Sequence, residues 1–179
     1  MPLTLNRPRR AERLSDPDSH PANTTTTLPM WATLSAGTPG YRELRYPFAW
    51  GDFVVTVVGE PRPWLTPMMQ AFGALLELRT GWDAYGSPPI QSAYIESALA
   101  VIFAVMRDDT PAPSVVPTSR GGVQIEWHTR GVDLEIEFET PFLIRGSFED
   151  HRTGQSWEKD LSFDQNALVQ AIAVLSQRT

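Results

Sequence analysis

The chain has no cysteine, which excludes disulfides, thiolate metal sites and cysteine nucleophiles and fits a reducing compartment. Histidine is also scarce, with three in 179 residues, so a metal centre would have few imidazoles to draw on. No long apolar run occurs. The most apolar stretch, 98–106, is far shorter than the roughly 20 residues a bilayer needs. Residues 1–27 lack the apolar centre of a secretory signal, so the expectation is a cytoplasmic protein without a membrane partner. Walker-type and dinucleotide glycine loops are missing, because Gly121 and Gly122 precede a strand pattern and not a helix. There is no Gly-x-Ser-x-Gly elbow, and Ser119, beside Arg120, has no recognisable base nearby in the sequence.

A surplus of positive charge is lacking too. The formal charge is −6, from 21 acidic against 15 basic residues, which disfavours a protein whose work is gripping phosphates and favours a basic partner. Weak nucleic-acid contact is left only to Arg7, Arg9 and Arg10. Those arginines lie in residues 1–27, which have almost nothing to bury, so the segment reads as a disordered arm ahead of a single domain over 28–179. Within that domain, 41% hydrophobic residues, with six Trp and eight Phe, supply a core.

Periodicity assigns the elements. Tyr41 to Phe48 alternates, with Leu44, Tyr46 and Phe48 on one side, and Phe53 to Val58 is a β-branched strand after a turn at 49–52. Thr66 and Pro67 have the form of an N-cap and first helical residue for a helix carrying Met68, Phe72, Leu75, Leu76 and Arg79, with Gly81 available to stop it. A second helix, apolar nearly all round, runs from about Gln91 or Ser92 to Met106. Residues 110–117 are punctuated by proline. Phe142 to Phe148 and Gln155 to Leu161 continue as strands around a turn at Thr153 and Gly154, and Ser162 with Gln165 resembles a capping box for a last amphipathic helix. The fold class expected is α+β, a mostly antiparallel meander packed against two or three helices.

The richest segment is a ribbon. Val123 to His128 and Val132 to Glu139 each alternate, joined through Gly131. One face carries Val123, Ile125, Trp127, Val132, Leu134, Ile136 and Phe138, and the other Gln124, Glu126, His128, Asp133, Glu135, Glu137 and Glu139. The first is core. The second is an acidic row with a histidine, and cross-strand neighbours lie about 5 Å apart, so carboxylate and imidazole can meet there. Arg130 and Arg145 are available as counter-charges.

Three segments also carry a resemblance: Gly81-Trp82-Asp83-Ala84-Tyr85-Gly86 with Pro88, then Pro117-Thr118 with Gly121 to His128, then Asp133 to Glu137. Over about residues 75–140 the chain resembles a group of short, largely uncharacterised bacterial proteins with a Gly-Trp-Asp-x-Tyr loop and an acidic hairpin. The resemblance implies a shared domain and carries no activity.

The candidate binding residues are therefore Glu126, His128, Asp133, Glu135 and Glu137 on the ribbon and Trp82, Asp83 and Tyr85 in the loop. The loop admits two readings. An aromatic pair flanking a carboxylate suits a small-molecule pocket, and the same residues suit a clasp in which Trp82 and Tyr85 plug the end of the helix pair while Asp83 accepts loop amides. Trp31, Trp50 and Trp64 fall near chain reversals, where exposed aromatics can anchor a partner. The function expected is a non-enzymatic interaction module, antitoxin-like, immunity-like or accessory, that binds a basic protein and needs no cofactor. The alternative is a metal-dependent hydrolase with Glu126, His128, Asp133 and Glu135 as ligands.

Overall fold

The alternation at 41–48 and the β-branched run after it do form paired strands. The computed structural model describes residues 60–178 and, before them, strands at 4–6, 33–35, 41–48 and 51–58. The chain divides into two units, 1–61 and 62–179, at a point where sequence patterning draws no boundary. In the first unit, β1 (Thr4–Asn6), β2 (Thr33–Ser35), β3 (Tyr41–Phe48) and β4 (Gly51–Val58) make an antiparallel sheet in the order β1-β4-β3-β2. Leu44 and Tyr46 are buried on the side the alternation assigns them. Composition reads the stretch 1–27 as an unordered arm, yet Thr4–Asn6 pair with β4. Backbone groups at a strand edge recruit a segment whatever its side chains. The rest of that stretch, with Arg7, Arg9 and Arg10, lies outside the described residues, as do Trp31, Trp50 and the side chain of Phe48.

The second unit is built on α1 (Leu65–Leu76), α2 (Ser92–Val105), β5 (Ser114–Pro117), β6 (Val123–Thr129), β7 (Val132–Thr140), β8 (Leu143–Asp150), β9 (Gln155–Asp160) and α3 (Asn166–Gln177). Its strands form a five-stranded antiparallel meander in sequence order, β5-β6-β7-β8-β9. The fold class is α+β, as the patterning requires.

One face of this sheet is the core. Val123, Ile125, Trp127, Val132, Leu134, Ile136 and Phe138 are all buried. α2 packs on β6 and β7 and against α3, which contributes Leu168, Ala171, Ile172 and Leu175, while α1 lies against β5. Buried polar atoms find partners: the Trp127 indole donates to the Pro111 carbonyl at 2.8 Å, and the Thr110 and Ser176 hydroxyls bond each other at 2.8 Å.

Three local expectations shift. Helix α1 starts at Leu65, behind Trp64 and without a side-chain cap, so Pro67 sits inside the first turn, where its missing N–H costs nothing. Trp64 is fixed by tertiary contacts instead and is 1% exposed. Its indole donates to the Arg107 carbonyl at 2.8 Å and Arg62 lies over its ring, so it is no partner anchor. Ser162 does not cap α3, since its hydroxyl accepts the Ile144 amide at 3.0 Å and the helix begins at Asn166. β5 is hidden in the sequence among its prolines. Pro117 is tolerated there because β5 is the edge strand of this sheet among the described residues.

Candidate functional site

Strand alternation turns the ribbon's other side chains away from the core, and register sets their neighbours. Glu126 stands opposite Glu135, Gln124 opposite Glu137, and His128 opposite Asp133. β8 and β9 extend the rows. Glu135, Ser147 and Glu158 align across three strands, Asp133, Glu149 and Ser156 form a second row, and Glu137, Arg145 and Asp160 a third. The short Ser147 is shared by two open hollows on this face, both walled by Glu135 and Glu158. The hairpin's predicted acidic face is thus one half of a wider one, and sequence patterning does not single out Ser147, Glu149, Glu158 or Asp160.

Like charges placed directly opposite repel, and three devices offset this. Between Glu126 and Glu135 the Gln124 amide donates to both carboxylates, at 3.0 and 3.1 Å. Near Gln124 the counter-charges are arginines: Arg120 pairs with Glu137 at 2.8 Å and Arg145 with Glu139 at 2.6 Å. Arg130, expected among them, instead donates to the Leu175 and Ser176 carbonyls at the end of α3. Those carbonyls lack helical partners, so a guanidinium is well placed to cap them. At the hairpin end the third device is imidazole.

His128 bonds Asp133 through Nδ1 at 2.9 Å and faces Glu126 with Nε2 at 3.4 Å. His151 bonds the other oxygen of Asp133 through Nε2 at 2.7 Å and faces Glu149 with Nδ1 at 3.5 Å. Hydrogen bonding to Asp133, above all, holds both imidazoles above the ordinary histidine pKa, with Glu126 adding for His128. The same bonds, from His128 first and His151 second, hold Asp133 below the usual carboxylate range.

His151 follows a strand in a turn, where no periodicity marks it, and its place comes from packing. Its backbone N–H donates to the Gly131 carbonyl at 3.0 Å, joining the β8–β9 turn to the β6–β7 turn. The β6–β7 turn takes left-handed conformations at Arg130 and Gly131, as a two-residue hairpin loop between right-twisted strands requires. Asp150 anchors the β8–β9 turn from the inner side. Arg178 donates to both its oxygens, at 2.8 and 2.5 Å, Thr153 adds a hydroxyl at 2.6 Å, and the Arg178 pairing first of all drives the carboxyl far below its ordinary pKa.

The second predicted locus stands apart. Asp83 accepts the Tyr85 and Ser87 amides, at 3.0 and 3.1 Å, and the Ser87 hydroxyl at 2.5 Å. That hydroxyl most of all lowers its pKa. The Trp82 indole donates to the Pro88 carbonyl at 3.2 Å. Asp83 therefore serves the loop, in keeping with the clasp, but Tyr85 plugs nothing and is 94% exposed. The loop meets the sheet through Pro88 and Pro89, which leave no room for a side chain at Gly121: a Cβ there would lie 2.9 Å from the Pro89 carbonyl oxygen. The Gln91 amide donates to the Gly121 carbonyl at 3.1 Å, so the loop's exit and the entry to β6 are halves of one joint. Among the described residues no hydrogen bond or ion pair links Trp82, Asp83 or Tyr85 to Glu126, His128, Asp133, Glu135 or Glu137.

In the ligand set of the hydrolase alternative, Glu126, Asp133 and Glu135 each come within 4 Å of a His128 nitrogen. The nitrogens of His128 are turned onto carboxylates as hydrogen-bond partners, and among the described residues no group of three His, Asp or Glu side chains is disposed to hold a metal ion. Among the same residues no helix is long and apolar enough to cross a membrane. No protein-family model, curated protein or solved structure matches this chain.

Proposed function

We propose that this chain is a non-enzymatic interaction module whose acidic sheet face receives a basic protein partner, in the manner of an antitoxin, immunity or accessory component of a two-protein system. One observation carries the reading: Glu126, Asp133, Glu135, Glu137, Glu149, Glu158 and Asp160 share one open face over four strands. A merely solvated face has no need to set Glu126 opposite Glu135 or Asp133 opposite Glu149, since like charges so placed repel. A partner bearing Lys or Arg removes the repulsion on docking, and the field of the face speeds encounter. Glu135 and Glu158, on either side of Ser147, are the residues a basic side chain meets in the hollow they share with Asp133 and Glu149, whereas the neighbouring hollow is also lined by Arg145 and Lys159. Arg120 and Arg145 set one border of the strongly negative region.

The test is capture from native lysate at low salt with the intact chain and with a Glu135→Lys, Glu158→Lys variant. A shared partner that salt and the reversal both release supports the module. Equal recovery by the two proteins removes it.

A further inference from the structure

Glu126, His128, Asp133, His151 and Glu149 form an alternating row of carboxylate and imidazole that crosses β6, β7 and β8 at one end of the acidic face. Each imidazole has a carboxylate at both of its nitrogens, and Asp133 is shared by the two. The row joins the wall of the hollow through Asp133 and Glu149. With both imidazoles neutral, its three carboxylates give a formal charge of −3, and with both protonated it carries −1. We propose that this row is a proton-operated gate on the docking face, which holds a basic partner when the imidazoles are neutral and releases it when they are protonated. The inference rests on the reading of that face as a docking surface and adds its regulation.

The groups around the two histidines favour this behaviour. Glu135 of β7 stands 3.9 Å from His128 Nε2, a further acidic neighbour. Asp150 lies beneath His151 but is occupied by Arg178. Arg152, next along the chain, lies against Gly131. No arginine is paired with Glu126, Asp133 or Glu149 among the described residues, so the imidazoles are the counter-charges of this end. A lysine or arginine arriving at Asp133 or Glu149 competes with them for the same oxygens. Competition of this kind is reciprocal: protons weaken the partner's binding, and the partner lowers the histidines' affinity for protons by the same factor.

The experiment uses a short fluorescent oligolysine as the basic probe and the full chain as the receptor. Affinity is measured at low salt at about pH 6 and about pH 8, the range over which imidazole changes charge. The wild-type chain is expected to bind roughly fivefold more tightly at the higher pH, the scale of two exposed charge interactions. His128→Gln with His151→Gln is expected to bind at the lower pH as the wild type does at the higher, with the slope gone. An unchanged slope in the double variant overturns the gate, and if Glu135→Lys, Glu158→Lys still abolishes binding, the docking surface stands without it. No binding at either pH overturns the docking surface and the gate together. A second readout does not depend on the variants. Imidazole titrations followed by NMR should show both midpoints falling when saturating oligolysine is added, and midpoints that stay put refute the gate.

Discussion

The two ends of the acidic face solve one electrostatic problem with different chemistry. Toward Gln124, Glu137 and Glu139 are matched by Arg120 and Arg145, and guanidinium is a fixed charge in proteins. Toward the β6–β7 hairpin turn, Glu126, Asp133 and Glu149 are matched by His128 and His151, whose charge comes and goes near neutrality. One end is therefore fixed and the other conditional. A face that needed only solubility would have no use for the distinction, whereas a docking face gains an edge of constant charge and an edge that answers to its surroundings.

Both ends ride on the same core, and the largest effect is expected there. Leu134, between Asp133 and Glu135 in sequence and fully buried, should cost about 2–5 kcal/mol as Leu134→Ala. Urea denaturation should return the same loss at acid and neutral pH, because no titrating group is involved. Next comes the joint beside the arginine end. A Cβ at Gly122 would stand 2.8 Å from the Phe138 carbonyl oxygen, which a strand backbone cannot move aside, so Gly122→Ala should cost about 1–3 kcal/mol.

Asp133→Asn separates the ends. His128 and His151 have pKa values raised above 6.5 in the fold, so their pairing stabilises fully below that value and fades as pH rises through the raised pKa. Asp133 is lowered from 3.8, so its share is present above that value and fades only in acid. The deficit of Asp133→Asn should be largest between the two values and shrink toward alkaline pH. It should stay under about 1 kcal/mol, because the groups are half exposed. Arg145→Gln should show a smaller loss, a few tenths of a kcal/mol, with no pH dependence over the same range. Thermal melts of both variants across that range check the pair, and a parallel pH dependence would erase the distinction between the ends.

Much of this face is legible in the sequence because strand alternation has a period of two and the hairpin turn fixes register. Glu126, His128, Asp133, Glu135 and Glu137 emerge as neighbours from those rules alone, and the register sets them side by side on β6 and β7. His151 does not emerge, since it sits in a turn held by Gly131 and Asp150, contacts that no local pattern encodes. Helix starts are illegible for a related reason. Thr66 and Ser162 have the chemistry of caps, but the buried Trp64 indole and the Ile144 amide decide where the chain turns. Arg130 has a counter-charge's position beside the row in sequence, and it serves the last turn of α3 instead. Composition marks the loop from Trp82 to Ser87 as special without showing that Asp83 spends its oxygens on the loop itself.

The proposed partner, positively charged, docks on this face of the second unit. Amide chemical-shift mapping with oligolysine at low salt tests this most directly. Perturbations should concentrate on Gln124, Glu126, Asp133, Glu135, Ser147, Glu149 and Glu158 and disappear as salt is raised. Perturbations centred elsewhere, or none at all, would contradict the account.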